Sequence, residues 1–233
     1  MIELKNVTYR YPNGILAIRN VTVSVNSKIS VLIGPNGSGK TTLLKIMGCI
    51  YRPRSGEVLV NGKDYWQLSK QEQLRIRRRI VYVHEKPTLF RGTVLENLMF
   101  PLLIRGYSEK EAKNRAEKIL YALEIEDLRN RRRKELSAGE IQLVAFARAI
   151  IVNPEYLLLD EPTNSLDLEK RKIVEDYIKR LVQKNTKVII ASHDRLLAVS
   201  LAERIIILEN GELRGITTPE YLFNEIKSSL SAI

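Results

Sequence analysis

One cysteine, two histidines and one tryptophan are all that this 233-residue chain holds of those three residue types. A single thiol, Cys49, closes no internal disulfide, so no covalent staple is available and a reducing compartment is the default setting. Cys49 stands in an apolar stretch, Thr41 to Ile50, that reads as helical, and it is expected to be a buried small hydrophobe. Long apolar runs are missing too. The longest after Leu95, Leu98 to Ile104, is broken by Pro101, far short of the ~20 residues that span a bilayer. No membrane crossing is expected, and Met1-Ile-Glu-Leu-Lys5 has neither the apolar core nor the cleavage pattern of a secretory leader. Together these absences predict a cytoplasmic setting.

What is present is an ordinary globular balance, 44% hydrophobic and 28% charged, in a length that suits one large domain or two closely packed ones. The net charge of +11 brings acidic partners into question: nucleic acid, an anionic membrane surface or an anionic small ligand. Two basic runs stand out, Arg75 to Arg79 and Arg129 to Lys134. No aromatic residue interleaves either, which weighs against single-strand nucleic-acid stacking and leaves a solvated face as the expectation.

Ile2, Leu4, Val7 and Tyr9, then Ile18, Val21, Val23 and Val25, alternate on either side of Pro12-Asn-Gly14 and predict an antiparallel hairpin. Ser30 to Ile33 reads as a short buried strand, and Gly56 to Val60 as another, followed by an Asn61-Gly62 turn. Ser69/Glu72 and Ser108/Glu111 have capping-box spacing and predict helix starts. After Ser108, Ala112, Ala116, Ile119, Leu120 and Leu123 form one apolar stripe. From Tyr156 the pattern becomes apolar runs (156–159, 188–191, 205–208) separated by helices near Leu168 to Gln183 and Arg195 to Leu201. That alternation argues for a parallel sheet covered on both faces. Asn210-Gly211 predicts a final hairpin and Thr218-Pro219 a last helix.

Gly34-Pro35-Asn36-Gly37-Ser38-Gly39-Lys40-Thr41 fits G-x-x-x-x-G-K-[ST] between a predicted strand and a predicted helix. Glycines let backbone N–H groups converge on phosphate oxygens, and the helix N-terminus adds a favourable dipole. Lys40 supplies a point charge near the terminal phosphates, and Thr41 a hydroxyl for Mg²⁺. Such a loop needs an acid at the end of a neighbouring buried strand to hold Mg²⁺ through water. Tyr156 to Asp160 is that strand and acid, and Glu161 follows at once, placed to take a proton from an attacking water.

At this point the chain resembles the ABC ATPase superfamily along nearly its whole length. Leu136-Ser137-Ala138-Gly139-Glu140 is similar to the family's LSGGQ signature peptide, and 141–149 to its signature helix. Asp160-Glu161-Pro162-Thr163 resembles the Walker B extension, Asn164 to Asp167 the D-loop, and Ala191 to Asp194 the switch-histidine segment, with His193. Tyr11 sits where the family stacks an aromatic on adenine, and Thr42 closes the nucleotide loop; Tyr9 is expected to pack on the core instead. The resemblance implies two subunits meeting head to tail, as a homodimer or heterodimer, with ATP between one P-loop and the partner's signature peptide. It makes Glu161 the general base and has His193 hold the γ-phosphate and water in register.

Three positions depart from the pattern. The Q-loop reads Val83-His84-Glu85, where a glutamine is usual. Glu85 is expected to keep the metal-reaching, catalytic role, since a carboxylate coordinates a hard cation. His84 is expected to pack as a flat ring; it has no second free histidine to share a metal with. Ala138 replaces a glycine, so its backbone must avoid a glycine-only conformation. Glu140 replaces glutamine, favoured by the helix N-terminus and disfavoured by nearby ATP.

The implied fold is α/β: a P-loop NTPase core with a parallel sheet, an N-terminal antiparallel β-subdomain and an inserted helical signature subdomain. The chain is taken as a single ABC ATPase domain over residues 1–233, with 1–84 and 155–233 as the catalytic core and 85–154 as Q-loop, helical subdomain and signature helix. The implied function is the ATP-hydrolysing motor of a transporter, peripheral on the inner membrane face and coupled to separate transmembrane permease subunits. Phe90 to Asn97 and Pro101 to Ile104 resemble the family's coupling region. Two other readings stand beside it: an ABC ATPase acting on nucleic acid or ribosomes, disfavoured because no long coiled coil or second cassette is present, and a weakly hydrolysing partner in a heterodimer. Val83 to Pro87 is similar to oxyanion importers, while the Thr93 to Asn97 and Pro101 elements are similar to lipoprotein and macrolide exporters, so the direction of transport stays open.

Overall fold

The computed structural model describes residues 1–231. β1 (Ile2–Arg10) and β2 (Leu16–Val25) form the antiparallel hairpin, and β4 (Ser55–Val60) and β5 (Lys63–Asp64) extend it in the order β2-β1-β4-β5. A second sheet runs β10-β9-β3-β8-β7-β6, made of β3 (Ile29–Ile33), β6 (Ile80–Val83), β7 (Tyr156–Asp160), β8 (Lys187–Ala191), β9 (Arg204–Glu209) and β10 (Glu212–Thr217). Five of these strands are parallel, and β10 returns antiparallel through Asn210-Gly211. One expectation is corrected here. The acid-bearing β7 is not the immediate neighbour of the P-loop strand β3, because β8 lies between them. Apolar runs reveal that strands are buried, while their order is set by how each crossover helix packs.

The period of two along each parallel strand sends alternate side chains to opposite faces. Leu157, Leu159, Val188 and Ile190 join one core, and Tyr156, Leu158, Ile189 and Ala191 the other. The second core holds α1 (Lys40–Met47), whose Leu43, Leu44, Ile46 and Met47 are sandwiched between the two sheets. The first core is roofed by α3 (Val94–Leu103), α4 (Glu109–Ala122), α5 (Ala138–Ile150), α6 (Leu168–Gln183) and α7 (Arg195–Leu201), with Leu222 of α8 (Pro219–Ser231). Ala112, Ala116 and Leu120 of the α4 stripe are buried, as is Leu123 just beyond its end.

The Ser69 and Ser108 capping boxes head α2 (Lys70–Arg77) and α4 as read. Two more head α3 and α5, Thr93/Glu96 and Ser137/Glu140, each satisfying two otherwise orphaned backbone donors. The first helix is shorter than expected. It stops at Met47, where Cys49 takes φ 55° and the N–H groups of Cys49 and Ile50 turn back to the Ile46 and Lys45 carbonyls. That is a Schellman stop, with cysteine in the left-handed slot usually given to glycine. Cys49 is 1% exposed, and burial pushes its thiol pKa up to about 12. A thiol so shielded is expected to stay unreactive toward Ellman's reagent at pH 8 in the folded protein. One equivalent, the single cysteine of the chain, should react in guanidinium. Rapid native labelling would contradict the packing.

Of the two basic runs, Arg75, Arg77 and Arg78 are exposed, and Arg79 is ion-paired with Glu155. Arg129 pairs with Glu117 at 2.9 Å, so that run is only partly the solvated face expected.

Candidate nucleotide-binding and hydrolysis site

Residues 34–39 turn between β3 and α1. Gly39, the N-cap of α1, has φ +102°, and a Cβ there would stand 2.7 Å from the Ala17 carbonyl oxygen. No side chain caps α1 and its first turn carries no acid, so its leading N–H groups are available to an anion. Ser38 Oγ is buried with no hydrogen-bond partner, a second polar group suited to a phosphate oxygen. Lys40 is 6% exposed and donates to the carbonyls of Gly34 at 2.8 Å and Pro35 at 3.1 Å. Burial lowers its pKa, while Glu161 and Asp160 oppose that shift.

Thr41 Oγ1 donates to Asp160 Oδ1 at 3.0 Å across the end of β8, and Tyr82 Oη donates to Oδ2 at 2.8 Å. Glu161 follows with φ +46°, a left-handed backbone costing a non-glycine residue about 1–3 kcal/mol. Its N–H is held by the Ala191 carbonyl at 2.8 Å, which turns the side chain off the strand end. The carboxylate accepts from Ser192 Oγ at 3.0 Å and from the His193 N–H at 3.0 Å, and lies 2.9 Å from His193 Nδ1.

Lys40, Thr41, Glu161 and His193 of this set open into a cleft of about 630 Å³, within the usual range of small-molecule sites. Tyr11, Asn36, Gly37, Lys40, Thr41, Thr42, Glu85, Glu161 and His193 reach it. Tyr11 Oη shares a 2.8 Å hydrogen bond with Thr42 Oγ1, which fixes the ring at the mouth. Tyr9 stacks on Tyr51 at 5.1 Å and packs on the core, outside the cleft lining. Glu85 is half-buried in the cleft. His84 corrects its expectation: it is exposed, with Nδ1 accepting the Lys86 N–H at 2.9 Å and its ring edge-on to Tyr82. As the strand ends, the turn pulls the imidazole outward.

Among the described residues no cluster of three or more His, Cys, Asp or Glu could hold a metal by itself. One hydroxyl beside one or two carboxylates suits Mg²⁺, which keeps waters and takes phosphate oxygens. Thr41, Asp160 and Glu85 are the residues here that would hold it.

Leu136 to Glu140 lie off this cleft. Leu136 is buried, Ser137 is the N-cap of α5, and Ala138 begins the helix in ordinary helical conformation. Ser137 Oγ accepts the Glu140 N–H at 3.2 Å, and Glu140 Oε2 accepts the Ser137 N–H at 2.7 Å. That backbone bond, more than Arg131 at 3.3 Å, holds the Glu140 carboxyl below its usual pKa. A Cβ on Gly139 would come within 2.6 Å of the Ser165 carbonyl, so α5 sits directly on the 164–167 loop. Asp167 caps α6, accepting the Lys170 N–H at 2.9 Å. Sequence reasoning missed Tyr82, Ser192 and Arg131. Only the Ser137-x-x-Glu140 spacing carried a legible signal for part of that arrangement.

A glycine loop over a buried lysine, a hydroxyl locked to a strand-end aspartate and a glutamate beside it define a P-loop nucleotide hydrolase. The chain belongs to the ABC transporter family, whose model matches residues 18–164. It is 36% identical to a putative ABC transporter ATP-binding protein of Caldanaerobacter subterraneus subsp. tengcongensis, covering 100% of this chain and 98% of that one. It is also 36% identical to the energy-coupling factor transporter ATP-binding protein of Methanothermobacter thermautotrophicus, over 97% of this chain and 73% of the relative. Among solved structures, the ATP-binding cassette MJ0796, a dimer bound to ADP and Pi, superposes with a TM-score of 0.86 at 35% identity, covering 94% of this chain and 99% of that one. The chain is therefore an ATP-binding, ATP-hydrolysing subunit of an ABC transporter.

Proposed function

We propose that ATP is sandwiched between this cleft and the Ser137 end of α5 on a second cassette, a copy of this chain or a related one, and that Thr41, Glu85 and, through water, Asp160 would hold the Mg²⁺ that offsets the phosphate charge. The observation that carries the reading is the convergence of Lys40, Thr41 and Glu161 on one cleft, with the buried Asp160 bonded to Thr41 behind it and Ser137 displayed on another face. Tyr11 stacks on the adenine. Lys40, Ser38 and the α1 N–H groups hold the phosphates. Glu161 takes the proton of the attacking water, and His193, held at its ring nitrogen by Glu161, positions the γ-phosphate. The 164–167 loop, which leads into the α6 cap Asp167, supports this chain's own signature peptide where Ser165 meets Gly139. Hydrolysis then removes the phosphate that bridges the halves, and the dimer loosens.

Residues 85–154 form the helical unit that meets the membrane permease. A groove of about 540 Å³ is lined by Val81, His84, Phe90, Phe100, Ile104 and Arg148, and the two phenylalanine rings lie 4.8 Å apart, about half exposed. An apolar groove of this form accepts a short helix. Docking there makes the protein peripheral on the inner membrane face. No helix among the described residues is long and apolar enough to cross the membrane itself.

Light scattering tests the sandwich. Glu161→Gln protein with Mg²⁺ and ATP is expected to double in mass, and a persistent monomer contradicts the arrangement. Arg131 adds a sharper test, because it neutralises the Glu140 carboxylate that would face the partner's phosphates. In that background Arg131→Ala should raise the dimerisation midpoint about five-fold, the scale of one exposed ion pair. Adding Glu140→Gln, which removes the unpaired charge, should restore it.

A further inference from the structure

The carboxylate of Asp160 is 1% exposed at the end of β7, and a buried carboxylate needs donors on its oxygens. Two side chains provide them: Thr41 on Oδ1 at 3.0 Å and Tyr82 on Oδ2 at 2.8 Å. Thr41 belongs to the phosphate loop. Tyr82 comes from β6, the neighbouring strand, 78 residues away in sequence. Its ring is itself anchored. Lys45, on α1, places its ammonium 5.9 Å from the Tyr82 ring centre and 5.2 Å from that of Tyr51. The strand holding Tyr82 leads straight into Glu85, which lines the same cleft.

We propose that Tyr82 is a positioning residue for cation binding: its hydroxyl fixes the Asp160 carboxylate so that the Mg²⁺–ATP complex meets it already oriented. The proposal rests on the reading of Asp160 as a holder of Mg²⁺. The hydroxyl suits the task because it is one-sided. Burial, and then the Asp160 charge, push the phenol pKa well up, so Tyr82 stays a protonated donor. Its hydroxyl donates to Asp160, while Lys40 donates to carbonyls of its own loop, so the hydroxyl acts on the site through Asp160. Partners of this kind orient a ligating carboxylate, and their loss typically costs about 10- to 100-fold in metal affinity.

The test is binding of a fluorescent ATP analogue, mant-ATP, to the full chain, titrated with MgCl₂ and compared with the same titration in EDTA. Tyr82→Phe keeps the ring and removes one oxygen. Its mant-ATP affinity in EDTA should match the wild type, while the Mg²⁺ concentration for half-maximal tightening rises about ten-fold. Turnover at saturating Mg²⁺ should recover to near the wild-type rate, a split that a general loss of packing would not produce. Tyr51→Phe, at the ring that shares the Lys45 ammonium with Tyr82, should shift nothing. An unchanged half-saturating Mg²⁺ in Tyr82→Phe overturns the proposal. Should that variant melt early by circular dichroism, Lys45→Met keeps the question open to refutation. It frees the ring while leaving the hydroxyl, and an unshifted Mg²⁺ dependence there, after correction for affinity in EDTA, also overturns the proposal. Asp160→Asn separates the two levels. If it binds Mg²⁺–ATP as the wild type does, the site reading itself fails. If it loses the Mg²⁺ effect while Tyr82→Phe does not, only the role of Tyr82 fails.

Discussion

Replacing Glu161 by glutamine is expected to slow steady-state ATP hydrolysis by about 100- to 1,000-fold while leaving the fold and nucleotide binding intact. The figure follows from the proposed role of Glu161, since a positioned general base contributes about 10²–10⁴ in rate. The geometry explains why glutamine is the informative replacement. Ser192 Oγ–H and the His193 N–H both donate to the carboxylate, at 3.0 Å each. A glutamine keeps one oxygen for the His193 N–H, and its amide can donate to Ser192 Oγ once that hydroxyl rotates, so the carboxylate's two contacts are kept in altered form. Alanine leaves both donors without their acceptor at the same left-handed backbone, and it should lose stability as well as rate. Phosphate-release kinetics and thermal melting distinguish the two. Wild-type and Glu161→Gln rates that agree within error would remove Glu161 from the chemistry.

Lys40→Ala is expected to abolish measurable ATP binding at millimolar nucleotide. The ammonium is held almost out of solvent by two carbonyls of its own loop, so the charge is already placed where phosphates arrive. Truncating one member of a buried charge pair costs about 2–5 kcal/mol, or roughly a 300-fold loss of affinity near the middle of that range. Lys40→Arg should not rescue it, because a planar guanidinium does not fit a point-charge position under a closed loop. Calorimetry reads both, and retained affinity in Lys40→Ala would place the phosphates elsewhere.

Local chemistry made much of this legible. The hairpin came from apolar alternation, α4 from its capping box and apolar stripe, and the phosphate loop from glycines at fixed offsets. Each is a property of a few adjacent residues. What escaped reading was relational. The position of β8 between β3 and β7 depends on how two crossovers pack, and neither run of residues records it. Tyr82 and Asp160 meet across 78 residues, and Ser192 and Glu161 across 31. Nothing near any of the four residues signals its partner. His84 was misread for a related reason: its neighbours suggest a packed aromatic, but the strand ends beneath it and its ring nitrogen finds a local backbone donor. The stop of α1 at Cys49 escaped because a left-handed cysteine breaks the preference for glycine there.

The helix α5 joins the two faces of the molecule in a further way. Ser137 caps one end, and near the other Arg148 lies over the Phe90 ring at 4.8 Å and donates to the Thr88 carbonyl at 2.8 Å, in the wall of the apolar groove. Eleven residues separate them, about 17 Å at 1.5 Å per residue. Pivoted at the arginine, a rod of that length tilted by about 10° carries its serine tip through about 3 Å, roughly one hydrogen-bond length. A small angular error at the groove is thus a whole bond at Ser137. The helix is a lever whose gain is fixed by its length.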